Sequence, residues 1–439
     1  MTVFGVDAVQ SAGTGELVVG AKDIVTPLAR ELARERGVTI IVATPQAATT
    51  PAAPANSNGS TLPSPVPVTP VFTPPASNGS RTPPPPLKPP APALYRRGAP
   101  LHPAVTPAAL QQPRTRRPQL TGTAKSVGRV VVVGAGHVGM ITAMKLAEAN
   151  IIEEVVLVDI AEGLAAGIAL DLTHSTALLG FDTTIRGVTS LADAGPADYV
   201  VITAGRARQP GMSRTDLVEV NAGIVGALAR EAAAISPQTV LLVVTNPLDE
   251  MTHHAWQASG LPADRVIGMA GVLDSSRFQA LAGLAADSPA STVKALALGS
   301  HGDEMVIPLS QARVAGSAIA QALPNTQVTA LVDRARNSGA EIVGLLKSGS
   351  AFFAPGASAA RMVLAMATDS DEILAATVRV RGQYGITDGY VGLPARLGRH
   401  GLREIVELPL TPDELTAVRT AATKISERVA DLARVTAAS

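Results

Sequence analysis

Beyond residue 126 the chain alternates short, unbroken apolar runs with longer amphipathic stretches. The apolar runs are Arg129–Val133, Val155–Asp159, Tyr199–Ala204 and Thr239–Thr245. A strand with water on one face alternates apolar and polar residues, whereas a run that is apolar throughout suits a strand covered on both faces. Between the runs, Val138–Asn150 and Thr215–Ile235 repeat apolar residues at helical spacing. Strands alternating with helices predict an α/β fold, a parallel sheet held between two layers of helices.

The first 125 residues follow other patterns. Thr26, Pro27 and Gly37 suit the cap, first turn and stop of a helix, with Leu28 and Leu32 as a narrow apolar stripe. Val38–Ala43 then reads as a short strand. A segment of 44 residues is too short for an independent core, so the stripe asks for a partner surface. From 45 to 120 there is no Asp or Glu, and 21 of the 34 prolines lie between Pro45 and Pro118. Such chain cannot bury enough apolar surface to offset the entropy of ordering it. It predicts a disordered Pro-rich linker, partly polyproline II.

Composition narrows the chemistry. At 439 residues the chain is long enough for two or three domains. Lys and Arg number 36 and Asp and Glu number 36, a balance that argues against nucleic-acid partners. There is no cysteine, which excludes a disulfide scaffold, a catalytic thiol, an iron–sulfur cluster and a Cys-bound zinc. With only 3 % aromatic residues, the core must be aliphatic and small-residue packed. No apolar run approaches the ~18 residues of a membrane span. The start carries Asp7 and Glu16 with no basic stretch, unlike a secretory signal. His253 and His254 are adjacent and so point apart on a helix; no metal site is expected.

The strand Arg129–Val133 runs straight into Gly134-Ala-Gly136-His-Val-Gly139, and Asp159 ends the next strand, 20 residues after Gly139. The combination is the dinucleotide fingerprint of a Rossmann-type, doubly wound parallel sheet. Gly134 permits the tight turn, Gly136 lets backbone approach a pyrophosphate at the helix N-terminus, and Gly139 lets helix and sheet close up. Asp159 is expected to accept from the adenine-ribose hydroxyls and repel a 2′-phosphate, favouring NAD over NADP.

Further clusters follow in order: Thr203-Ala-Gly-Arg206-Ala-Arg208-Gln-Pro-Gly211-Met-Ser-Arg214; Val244-Thr-Asn246-Pro-Leu-Asp249; Leu273-Asp274-Ser-Ser-Arg277; Gly299-Ser-His301-Gly302-Asp303; and Tyr384-Gly-Ile-Thr-Asp388-Gly-Tyr-Val-Gly-Leu-Pro394. With these the chain from Val127 to Leu432 resembles the lactate/malate dehydrogenase family, and most of all its lactate-dehydrogenase-like, NAD-dependent malate members. The resemblance implies an α+β catalytic domain after the Rossmann domain. It puts the proton acceptor on His301, whose ring suits the task near neutral pH, and its orienting carboxylate on Asp274. It makes Arg277 the clamp on the C1 carboxylate of a 2-hydroxy acid, and Arg214, on a lid loop hinged near Gly211, the group that polarises the C2 oxygen. Asn246 is implied as an amide that orients substrate beside the nicotinamide, and Asn221 as a residue near the cofactor. Arg208 matches the position where malate members carry arginine for the C4 carboxylate and lactate members commonly carry glutamine. Ala207 and Gln209 depart from the usual Pro and Lys flanks, and Arg206 adds a charge.

The expected activity is NAD-dependent malate dehydrogenation, reversible between (S)-malate and oxaloacetate. Alternatives are an L-lactate or other 2-hydroxy-acid dehydrogenase, an NAD-dependent glycosidase of similar fold, and a tethered cargo or scaffold protein with a secondary binding role. The expected domains are a docking segment over 1–44, the linker over 45–125, the NAD-binding domain over 126–271 and the catalytic domain over 272–439. The family implies a homodimer or homotetramer in the cytoplasm. The leading helix is similar to short segments on bacterial microcompartment proteins, which implies a shell or cargo partner for residues 1–44.

Overall fold

The computed structural model describes residues 3–4, 9, 12, 15–20, 24–25, 32–33, 36–43, 125–206, 214–347 and 349–438. The expected linker therefore lies outside the described residues, Lys125 excepted, as do Thr26, Pro27 and Leu28 of the leading helix. The chain divides into two compact units, 1–96 and 97–439.

Among the described residues the first unit holds four strands: β1 (Val3–Phe4), β2 (Glu16–Gly20), β3 (Ile24–Val25) and β4 (Thr39–Ala43). They pair in parallel, β1 with β3 and β2 with β4. Leu17 and Val19 of β2 point inward while Val18 between them points out, the period-2 rule of a one-sided sheet. The inward pair packs with Val9, Ala33 and Val38, and Leu32 lies half-buried against them. This corrects the reading of a lone helical segment: Leu32 finds its cover within the unit. The stop at Gly37 is present, with φ +69° and the Val38 N–H donating to Ala33 O at 2.8 Å, which closes the last helical turn.

In the second unit six parallel strands form the centre: β5 (Val127–Val133), β6 (Ile152–Val158), β7 (Thr184–Val188), β8 (Tyr199–Ile202), β9 (Val240–Val243) and β10 (Val266–Gly268). Their order across the sheet is β7-β6-β5-β8-β9-β10, the doubly wound order with its reversal between β5 and β8. Helices α1 (His137–Glu148), α2 (Leu164–His174), α3 (Arg214–Ile235), α4 (Leu248–Ser259) and α5 (Gly271–Ala285) follow strands in turn.

Alternate strand residues feed two separate cores. Val130, Val132, Val155, Leu157, Val201 and Leu242 face one side. Val131, Val133, Val156, Val158, Val200 and Leu241 face the other, under Ala222, Val225 and Ala229 of α3 and Met251 and Ala255 of α4. Both faces are dry, which is why the runs read as unbroken. Each buried Val or Leu contributes roughly 1.5–3 kcal/mol. β7 had no apolar run to announce it; it is the sheet's edge, and only Gly187 of its five residues is buried. There α2 crosses so closely that a Cβ on Gly187 would meet Ala165 at 2.2 Å.

The same sheet continues antiparallel. Strands β11 (Leu298–Gly299), β12 (Met305–Val306), β13 (Ile373–Val380), β14 (Gly389–Gly398) and β15 (Gly401–Ile405) extend it, β13 joining β10 at Thr377 opposite Gly268. Helices α6 (Asn325–Leu346), α7 (Phe353–Ala367) and α8 (Pro412–Ala438) complete the layer. Across the junction Arg379 of β13 lies 4.0 Å above the ring of Trp256 on α4, its guanidinium held by both oxygens of Asp388 at 2.8 Å. The Tyr384–Pro394 motif is thus largely architectural: Tyr384 also donates its hydroxyl to Val406 O and accepts from the Leu408 N–H.

Candidate active site

At the carboxyl ends of β5 and β8 the sheet opens into the crevice where such folds bind ligands. Gly134 turns the chain there with φ +102°, and a Cβ on it would meet Ala204 N and Thr203 Oγ1 at 2.7 Å. Thr203 Oγ1 lies 3.0 Å from both Val133 O and Gly134 O, so β8 pins the turn from the side. A Cβ on Gly139 would lie 1.8 Å from Gly134 O, so turn and helix are in contact. Gly136 differs: nothing lies within 4 Å of its would-be Cβ, and as N-cap of α1 it supplies no side-chain acceptor. The N-terminus of α1 thus carries no side-chain cap and has room beside Gly136, which suits an anionic pyrophosphate. Asp159 sits at the end of β6, where Oδ2 accepts the Ala135 N–H at 2.8 Å and Oδ1 the Ala161 N–H at 2.9 Å. Each oxygen keeps a lone pair for a further donor.

The second constellation grows from α5. Asp274 and Arg277 are one turn apart, so both project from the same face. Asp274 is buried and takes Arg277 Nη1 on Oδ1 at 2.9 Å and His301 Nδ1 on Oδ2 at 2.7 Å. An ionised carboxylate only accepts, so Nδ1 carries the proton and Nε2 presents its lone pair. His301 stands in the turn between β11 and β12, started by Gly299 at φ +81°. Burial presses its imidazole toward the neutral form, yet Asp274, with Asp249 behind it, outweighs burial and the smaller opposing push of Arg277; the pKa ends above its ordinary value. Arg277 Nε is buried and has no hydrogen-bond partner among the described residues.

Residues 128–268 match the lactate/malate dehydrogenase NAD binding domain and residues 271–435 the alpha/beta C-terminal domain of the same enzymes. The chain belongs to the lactate/malate dehydrogenase family. A malate dehydrogenase of Pelodictyon phaeoclathratiforme is 45 % identical over 305 residues, 70 % of this chain and 98 % of that protein. One of Thermomicrobium roseum is 46 % identical over 308 residues, 70 % of this chain and 99 % of that one. The solved malate dehydrogenase of Salinibacter ruber matches with a TM-score of 0.67 and 38 % identity, over 70 % of this chain and 98 % of that one.

Within this lactate/malate dehydrogenase body, the other expected residues fall in three places. Arg208 lies outside the described residues, as does the side chain of Arg214, which begins α3. Asn246 is exposed at the end of β9, before Pro247 and α4. Asn221 lies within α3. It is buried, and its amide is taken up by backbone: Oδ1 accepts the Arg206 N–H at 2.7 Å, while Nδ2 donates to Arg206 O at 3.2 Å and Asn246 O at 2.7 Å. It ties the backbone at Arg206, after β8, to that at Asn246, after β9.

A second buried carboxylate, Asp249, was quoted in a motif but given no task. It lies in the first turn of α4 and accepts the His301 backbone N–H on Oδ2 and the Thr377 hydroxyl on Oδ1, each at 2.9 Å. Burial pushes its pKa up to about 6, against these bonds and with help from Glu250. Only its place among acidic residues after Asn-Pro hinted at a role. Among the described residues no cluster of His, Asp and Glu could hold a metal, and no helix is long and apolar enough to cross a membrane.

Proposed function

We propose that the chain is an NAD-dependent malate dehydrogenase, interconverting (S)-malate and oxaloacetate. The observation that carries the mechanism is Asp274 holding His301 at 2.7 Å and Arg277 at 2.9 Å with its two oxygens. One carboxylate thereby sets the distance between a proton acceptor and a carboxylate clamp.

A bound NAD would supply the acceptor for the hydride at C2 of malate. The glycine loop and the N-terminus of α1 would hold its pyrophosphate, and Asp159 would accept from the ribose hydroxyls and disfavour a 2′-phosphate. His301 Nε2 accepts the C2 hydroxyl proton, and Asp274 stabilises the imidazolium that results. Arg277 grips the C1 carboxylate, its Nε being a buried donor that no described residue satisfies. By family resemblance Arg214 polarises the C2 oxygen, Asn246 orients the substrate and Arg208 pairs with the C4 carboxylate.

Steady-state rates with NADH or NADPH against oxaloacetate, pyruvate and 2-oxoglutarate test the assignment, oxaloacetate with NADH being preferred. Arg208→Gln should lower kcat/KM for oxaloacetate about 100-fold, since a closed-site charge pair is worth roughly 2–5 kcal/mol, and leave pyruvate unchanged or improved. Unchanged oxaloacetate turnover would remove Arg208 as the reader of the distal carboxylate. We also read the enzyme as a homodimer or homotetramer, which sedimentation decides. Residues 1–44 are read as a link to a microcompartment shell or cargo protein, and a fluorescent fusion that stays diffuse in the native host would end that reading.

A further inference from the structure

We propose that Asp249 is a positioning residue of the proton relay, holding the backbone of His301 and lending the imidazolium its second counter-charge. The inference rests on the dehydrogenase reading above for the role of His301.

The geometry joins three elements at one carboxylate. Asp249 belongs to α4, whose approach carries Asn246; it bonds the His301 turn through Oδ2 and β13 through Thr377 on Oδ1. The acid–base residue is thus fixed to the same helix that begins beside the substrate-side amide. Its charge is the more telling feature. Both hydrogen bonds come from neutral donors, and a carboxylate buried with neutral donors alone is unfavourable unless a cation balances it.

The charged groups around the ring can be counted among the described residues, which leave out Arg208 and the side chain of Arg214. From α5 come Asp274 and Arg277, which pair with each other and cancel. From α8 comes Arg428, which lies 2.8 Å from Glu250 of α4 and 3.2 Å from Glu304 beyond the His301 turn. That trio sums to one negative charge, its cation already shared by two acids. Asp249 adds another negative charge; among the described residues no ion pair joins it to a cation, although Arg428, already paired with Glu250 and Glu304, also feels it. The positive charge that appears on His301 when the ring takes up the substrate proton is one that Asp249 favours. Asp274 orients the ring through Nδ1; Asp249 fixes the residue through its backbone and favours the protonated state from behind.

Asp249→Asn keeps an acceptor for the His301 N–H and removes the charge. In the full-length enzyme the alkaline limb of kcat/KM for oxaloacetate reduction, which needs the protonated ring, should move down by about 0.5–1 pH unit. At pH 9 that is a roughly 3–10-fold loss beyond any uniform change. A ring-proton NMR titration of His301, assigned with His301→Asn, should show the same downward shift. Asp249→Ser, also neutral and smaller, carries the same expectation if the amide does not fold. Limb and ring titration both coinciding with wild type would overturn the proposal, whatever happens to the melting temperature. If wild type fails to reduce oxaloacetate but the ring titration still shifts, the substrate reading falls and the Asp249 assignment stands.

Discussion

The glycine loop and the His301 turn are built by opposite means. The loop works by missing atoms: Gly134 and Gly139 stand where any Cβ would strike neighbouring backbone, and Gly136 stands where a Cβ would strike nothing of the protein. The His301 turn works by buried charge: Asp274 holds the imidazole and Arg277, and Asp249, from a second helix, holds the His301 backbone. One region is a steric mould with little electrostatic demand. The other is an electrostatic arrangement in which Asp274 and Asp249 both favour the protonated ring. Changes to the first should therefore alter folding and cofactor affinity, and changes to the second should alter rate and pH response.

The largest effect should come from His301→Asn, which lowers kcat by about 10²–10⁴. A fluorescence titration should show NADH binding retained; loss of binding would mean the two regions are not separable. Next comes Gly139→Ala. An alanine gains roughly 1 kcal/mol over glycine in a helix, but the 1.8 Å approach to Gly134 O forces turn and helix apart. The clash wins, and urea unfolding should show a net loss of about 1–3 kcal/mol. Gly136→Ala is its partner experiment, with stability within about 0.5 kcal/mol of wild type and weaker NADH binding. Equal destabilisation by both would show that packing, not a ligand, selects the third residue of the loop.

The stability of the charged region should depend on pH in a direction that can be worked out. The Asp249 pKa is raised in the fold to about 6 from 3.8. The unfolded chain releases that proton first, so the native state loses stability as pH rises from about 4 through 6. The raised pKa of His301 acts in the same sense, its contribution being full below the unfolded value and lost as pH climbs through the folded one. Asp249→Asn should remove the first loss and raise stability at pH 8 by about 1–3 kcal/mol relative to wild type. A variant no more stable at pH 8 than at pH 4 relative to wild type would mean that Asp249 is well compensated in the fold. Asp249 is thus expected to trade stability for rate.

The mould was legible in the sequence and the charged arrangement only in part. Glycine spacing after a strand, followed by an acid at the next strand end, is a local pattern that backbone geometry imposes. Asp274 and Arg277 could be paired by helical spacing, and family resemblance joined His301 to them. Asp249 meets Thr377 across 128 positions of sequence, and Arg428 meets Glu304 across 124. No local rule links such pairs; the antiparallel extension of the sheet and the return of α8 bring them together. β7 escaped notice because an edge strand has no need of an apolar run on both faces. β2 of the leading unit is five residues with one charge, too short for periodicity to speak.

Trp256 is the chain's single tryptophan, and it lies on α4 beneath a guanidinium carried by β13. The tryptophan emission of this protein therefore comes from one place, the seam where the nucleotide-binding half meets the antiparallel half. A cation stacked on an indole shifts and quenches its light, so any parting of that seam is written directly into the spectrum. The same helix leads back to Asp249 and Asn246. The molecule thus carries a native optical gauge of the joint on which its acid–base residue is mounted.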